Sequence, residues 1–131
     1  MLCLDTSVVV DLLRGETALR DRLEQLKDLH IPYAVTPLTL CELYDGAFQS
    51  QKATEAVRLV DEFVESAHLL DFDQPACRVY GQRYSELARG GRTPPEIDLM
   101  IASIALAHGA VLVTRNVKDF EHVRGLRLER W

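Results

Sequence analysis

The side chains with the most chemistry in this 131-residue sequence are acids and hydroxyls placed at the ends of apolar segments. Asp5 closes the short run Leu2-Cys3-Leu4. Asp98 stands just before the apolar stretch 99–113, and Thr114, Asn116 and Asp119 follow that stretch directly. Glu42 lies in a segment opened by Thr36-Pro37. A carboxylate beside so much apolar surface is costly unless it is paired or holds a cation. Three or four of them at one strand edge would repel each other and raise one another's pKa. A divalent cation with oxygen ligands removes that penalty. The four histidines are scattered, and Cys3, Cys41 and Cys77 show no metal-ligand spacing, so the donor set favours Mg²⁺ or Mn²⁺ over zinc. An ion of this kind, together with carboxylates, suits the attack of water on a phosphodiester. Ser7 and Thr114, with Thr6, supply hydroxyls to orient neighbouring carboxylates or waters. Each acid also has a plainer reading. Asp5 can cap a helix, Glu42 can sit on a solvated face, and Asp98 can be a structural ion-pair partner.

The elements that must position these groups follow from apolar periodicity. Met1–Leu4 reads as a buried strand, then a helix capped by Thr6 or Ser7 runs to about Arg14. Thr17–Leu29 has the leucine stripe of an amphipathic helix. Ile31–Val35 is a second strand, and Thr36-Pro37 caps and opens a helix with Leu38, Cys41, Tyr44 and Phe48 inward. Lys52–Ser66 and Pro75–Ala88 are further helices, with a strand at His68–Phe72 between them. Thr93 and Glu96 have the spacing of a capping box with Pro94 at the first helical position, opening a largely buried helix to His108 that stops at Gly109. Residues 110–113 form a strand, Asn116 caps a one-turn helix, and 126–128 is a weak last strand. Strands alternating with helices predict an α/β domain, three layers with a mostly parallel central sheet, spanning 1–131 as a single unit. In such sheets the site lies beyond the carboxyl ends of the strands. Asp5 and Asn116 belong at that edge, and helix N-terminal turns can bring Glu42 and Asp98 there.

Composition bounds the partners. Apolar residues make up 47% and charged residues 27%, with a net charge of −5, a soluble globular profile. The first fifteen residues lack a basic start and carry Asp5 and Asp11, so they do not read as a signal peptide. No apolar run reaches membrane-spanning length. The three widely spaced cysteines, each in an apolar segment, read as buried thiols in a reducing cytoplasm. Residues 1–72 hold 13 acids against 6 bases, whereas 73–131 hold 7 against 9. The balance argues against indiscriminate nucleic-acid binding but leaves room for a local basic rim.

Leu4-Asp5-Thr6-Ser7, Glu42 in a helix, Glu96-Ile-Asp98 heading a buried helix, and Val113-Thr114-Arg-Asn116-Val-Lys-Asp119-Phe, in this order, resemble the PIN-domain ribonucleases. The length and the motif ending at Asp119-Phe120 resemble most the VapC toxins of bacterial type II toxin–antitoxin pairs. The resemblance covers nearly the whole chain. It implies a PIN-like α/β/α fold, a Mg²⁺- or Mn²⁺-dependent endoribonuclease, a homodimer, and inhibition by a VapB-like antitoxin. It carries Asp5, Glu42 and Asp98 over as metal ligands. Where many relatives have a fourth aspartate this chain has Asn116, and Asp119, three residues on, is the carboxylate that can replace it. Asn116 then shapes the loop as a cap. Arg92, Arg115 and Lys118 flank the site and can grip RNA phosphates, tRNA among the candidate substrates. The alternative is an aspartate-based phosphotransfer or phosphate-accepting α/β domain with Asp5 as nucleophile. A haloacid-dehalogenase-like enzyme would want a second aspartate where Ser7 stands.

Overall fold

A computed structural model describes residues 1–131 except Pro94. Five strands, β1 (Leu2–Leu4), β2 (Tyr33–Val35), β3 (His68–Leu69), β4 (Val111–Thr114) and β5 (Leu128–Arg130), form one sheet in the order β3-β2-β1-β4-β5. Every neighbouring pair is parallel, so the mostly parallel expectation sharpens to wholly parallel. Residues Cys3, Ala34 and Leu112 stand in register on one face, and Leu4, Val35 and Val113 belong to the other. Both faces are covered, which is why the strands read as unbroken apolar runs rather than alternating ones.

Helices α1 (Thr6–Leu13), α2 (Thr17–Asp28), α3 (Pro37–Gln49) and α4 (Ala53–Ser66) bury their stripes with Leu4, Val35 and Val113. Helices α5 (Gln74–Arg89) and α6 (Glu96–Ala107) pack on the opposite face with Cys3, Ala34 and Leu112. The result is three layers, α/β/α. Leu99, Ile101, Ala102, Ser103, Ile104 and Ala105 of α6 are all buried, and each large apolar side chain among them contributes roughly 1.5–3 kcal/mol relative to exposure. The one polar member, Ser103, donates its hydroxyl to Leu99 O at 2.6 Å, within the helix. Gly109, at φ +66°, turns the chain out of α6 in a conformation that a side chain resists.

Several local expectations change. Helix α6 starts at Glu96 behind Pro95, with no side-chain cap, because the proline fixes the extended entry and puts Glu96 at the first helical position. The capping box with Thr93 therefore does not form, and the placement of Pro94 lies outside the described residues. On α3 the buried stripe is Thr39, Leu43 and Ala47, while Cys41 and Phe48 are exposed. A threonine that finds hydroxyl partners can lie inward, and that rotates the face away from the most apolar residues. Cys77 is exposed as well, so only Cys3 is a buried thiol. Strand β3 is cut to His68–Leu69 because it is the sheet edge and the chain leaves for α5, whereas β5 begins at Leu128. Thr36 does cap α3, accepting from the Thr39 amide at 3.2 Å with Pro37 in the first turn.

Candidate functional site

The central pair β1 and β4 ends in the residues that build a cleft. The amide of Asp5 donates to Val113 O at 2.8 Å, so the aspartate's own backbone is one more rung of the β1–β4 ladder. The residue is 5% exposed. It does not cap α1, although it holds the N-cap position. Instead Oδ2 accepts two hydroxyls, Thr114 Oγ1 at 2.8 Å and Ser7 Oγ at 2.9 Å. No buried polar side-chain atom among the described residues lacks a partner, so Oδ1, which receives no hydrogen bond, is the oxygen left to the cleft. Thr114 also accepts the Asn116 amide at 3.0 Å, and Ser7 accepts the Arg115 amide at 3.2 Å.

Glu42 reaches the same place from α3. Thr6 Oγ1 donates to Glu42 Oε1 at 2.7 Å and lies 3.3 Å from Thr39 Oγ1, which in turn lies 3.3 Å from Thr36 Oγ1. This row of threonines ties the first turn of α1 to the first turns of α3, and it explains why Thr39 is buried. Asp98, from the first turn of α6, is half-buried, and its pKa is pushed up to about 6, first by burial and then by the charges of Asp5, Asp119 and Glu42. Asp98 therefore feels the charge of carboxylates from three other segments of the chain.

The cleft is lined by Asp5, Thr6, Ser7, Val10, Asp11, Glu42, Asp98, Arg115, Asn116 and Asp119. Thr114 lies behind Asp5, fully buried. Asn116 precedes the one-turn 3₁₀ helix Val117–Asp119 without a side-chain cap. The turn is closed by the Asp119 amide donating to the Asn116 carbonyl at 3.0 Å. The expected capping role of the Asn116 side chain is therefore not realised, and that side chain belongs to the cleft wall.

The three cations separate. Arg115 is not turned outward. Its guanidinium donates to both Glu16 oxygens, to Asp11 Oδ2 at 2.7 Å and to the Trp131 carbonyl at 3.1 Å. The Glu16 carboxyl is held below its usual range, chiefly by that hydrogen bonding. Arg92 and Lys118 instead line an adjoining groove with Leu87, His122 and Asp119, so that Asp119 belongs to both depressions. Sequence reasoning missed Asp11, Glu16 and His122. Asp11 and Glu16 sit about a hundred residues from their partner, and nothing local signals the pairing.

Among the described residues, no three His, Cys, Asp or Glu side chains form a ready-made metal shell. The cleft offers hard oxygens only, with neither Cys nor His in its lining. That donor set fits Mg²⁺ or Mn²⁺, which keep several waters and are held by one or two protein carboxylates rather than by a closed cage. The crowding of charge around Asp98 is what such an ion would relieve. By contrast, the second acid that a dehalogenase-like phosphotransfer site needs is replaced by Ser7, whose hydroxyl is engaged on Asp5.

Comparison with known proteins agrees with this geometry. Residues 2–126 match the PIN domain family model. The chain is 37% identical over 131 residues to the tRNA(fMet)-specific endonuclease VapC of Shigella flexneri, covering 98% of this chain and 96% of that one. It is 31% identical over 129 residues to ribonuclease VapC1 of Haemophilus influenzae strain R2866, again covering 98% and 96%. Among solved structures, VapBC2 from Rickettsia felis, bound to a DNA fragment from its promoter, superposes with a TM-score of 0.92 at 30% identity, over 99% of this chain and 98% of that one. VapBC from Salmonella typhimurium, also DNA-bound, gives 0.91 at 31% identity, over 99% and 97%. With the acids gathered at the carboxyl edge of a parallel sheet and the match running almost end to end, the chain belongs to the PIN-domain family and, within it, to the VapC ribonucleases.

Proposed function

We propose that this chain is the toxin of a type II toxin–antitoxin pair, a Mg²⁺- or Mn²⁺-dependent endoribonuclease that works as one domain in the cytoplasm. The observation that carries the reading is the state of Asp98. A half-buried carboxylate facing three others is raised to about 6, which is the arrangement a divalent cation stabilises. Asp5 and Asp98 would hold the ion, with Glu42 and Asp119 beside them. When bound, such an ion acidifies water and neutralises charge developing on a phosphodiester.

The chain's own residues do the rest. Thr114 and Ser7 keep Oδ2 of Asp5 occupied, so Oδ1 faces the cleft. Thr6 fixes Glu42 by its hydroxyl. Arg92 and Lys118, in the groove that shares Asp119, take phosphates of the flanking RNA. Single-stranded or looped RNA suits this open edge, and the relative named as tRNA(fMet)-specific makes tRNA the first substrate to try. A VapB-like antitoxin is the natural partner, since a chain of each VapBC structure superposes on 99% of this one. A cation from that partner, best an arginine with its planar fork, would pair with the carboxylates and compete with the metal. A homodimer is part of the same reading.

The test is cleavage of tRNA and of unstructured RNA by purified protein in EDTA, then after Mg²⁺ or Mn²⁺ is restored. Activity should vanish in chelator and return with the ion. Equal cleavage under both conditions would overturn the metal-dependent mechanism. Saturating partner that left both Mn²⁺ affinity and cleavage unchanged would overturn the proposed mode of inhibition.

A further inference from the structure

Arg115, which itself lines the cleft, stands between Thr114, bonded to Asp5, and Asn116. Its backbone amide donates to Ser7 Oγ at 3.2 Å, and Ser7 donates onward to Asp5. On one side of it Thr114 donates to Asp5, and on the other the Asn116 amide donates back to Thr114. Its side chain leaves in another direction, where the fork meets Glu16 at the α1–α2 junction, Asp11 on α1 and the backbone of Trp131 beyond β5. One residue thus joins the turn behind Asp5 to three other parts of the fold. A guanidinium with four named acceptors is the side chain best suited to this, because its donors are fixed in a plane.

We infer that Arg115 is a positioning residue for the nuclease site: its clamp on Asp11 and Glu16 holds the 114–116 turn so that Thr114 and Ser7 keep Asp5 aimed into the cleft. The inference rests on the function proposed above for its activity readout, and on geometry alone for its structural readout. Groups that orient a carboxylate ligand from behind are worth about 10–100-fold in metal affinity or activity. A merely structural ion pair would lower the melting temperature and leave turnover intact in protein that is still folded.

The experiment compares Arg115→Ala, Arg115→Lys and the pair Asp11→Asn/Glu16→Gln, well below their melting temperatures. Arg115→Ala should lower kcat about 10–100-fold with KM changed less than about threefold. Lysine, a point charge without the fork, should recover only part of the loss. The Asp11→Asn/Glu16→Gln pair should lower kcat in the same direction as Arg115→Ala, because it removes the charged anchor without leaving the two carboxylates unpaired. Normal kcat in that pair would mean that Arg115 only shields its acidic neighbours, and would overturn the clamp. Amide hydrogen exchange is read in parallel without metal or RNA. Protection at residues 115 and 116 should fall in Arg115→Ala while Leu112 and Val113 keep theirs. Unchanged protection there would overturn the clamp whatever the activity. A wild-type protein that fails to cleave RNA would count against the functional reading instead, and the exchange result would still decide the clamp.

Discussion

Asp5 and Asp98 are neighbours in one cleft, yet they are held in opposite ways. Asp5 follows a strand, and its Oδ2 is satisfied by two hydroxyls at 2.8 and 2.9 Å. Asp98 starts a helix, and no hydrogen-bond donor reaches it among the described residues; burial and three like charges push its pKa up to about 6. One carboxylate is fixed by donors, the other is left under electrostatic load. The pair shows how a site can be rigid and still carry unrelieved charge: the scaffold is fully bonded on the β1 side and unbonded at Asp98 on the α6 side.

Removing the loaded member breaks this contrast most sharply. Asp98→Asn should reduce metal-stimulated cleavage by more than about 100-fold, since under the proposed function it deletes a direct ligand rather than a supporting group. The same change should stabilise the metal-free fold. The folded pKa lies above the ordinary 3.8, so the folded state binds this proton more tightly than the unfolded chain does. Stability from that proton is present below about pH 4 and is lost as pH rises to about 6. A rise of this size, discounted for solvent screening, amounts to about 1–2 kcal/mol. Urea melts of wild type and variant should therefore coincide near pH 4 and separate by that amount at pH 7. A variant less stable than wild type at pH 7 would mean that Asp98 has a structural ion-pair partner.

The bonded member should respond more mildly. Thr114→Val removes a donor to Asp5 and the acceptor of the Asn116 amide, and should cost about 10–100-fold in kcat. Ser7→Ala leaves Thr114 in place and should cost less. If both variants turn over as wild type does, Asp5 is positioned by the β-ladder alone. The smallest effects concern the turn after β4. Asp119 adds to the charge on Asp98 and lines the cleft, whereas Asn116 is neutral and caps nothing. Asp119→Asn should weaken Mn²⁺ binding about 10-fold, and Asn116→Ala should stay within about threefold on both binding and stability. Calorimetric titration ranks them, and the reverse order would give Asn116 the direct contact.

What is legible in the sequence follows the range of the interactions. Apolar runs at Leu2–Leu4 and 110–113 mark the central strands, and Thr36-Pro37 marks the start of α3, because each signal lies within a few residues of its effect. Asp5, Glu42, Asp98 and Asp119 are recognisable as a set through the resemblance to the PIN-domain ribonucleases, and the parallel topology brings them to one cleft. Interactions over long separations stay hidden. Apolarity alone misplaces the inward face of α3, because the hydroxyl of Thr39 meets Thr6, a contact 33 residues apart. Arg115 looks like a surface cation because its partners, Asp11 and Glu16, are 104 and 99 residues away. The exposed thiols of Cys41 and Cys77 escape for the related reason that a segment's apolar character does not say which way each residue points.

The rung between the Asp5 amide and Val113 O has a consequence for how this protein fails. Peripheral segments of a domain open and close separately, but the central pair of a sheet separates only when the whole unit melts. Because the aspartate's backbone belongs to that pair, damage in the outer helices away from the Arg115 contacts does not drag it gradually out of line. Heating should therefore give no family of partly active forms. Molecules should be either competent or denatured, and the inactivation curve should overlay the melting curve. A chain built this way tolerates drift at surface positions away from the cleft and the Arg115 contacts while its potency per folded molecule stays constant, so for such changes the amount of folded protein, rather than its quality, sets the dose.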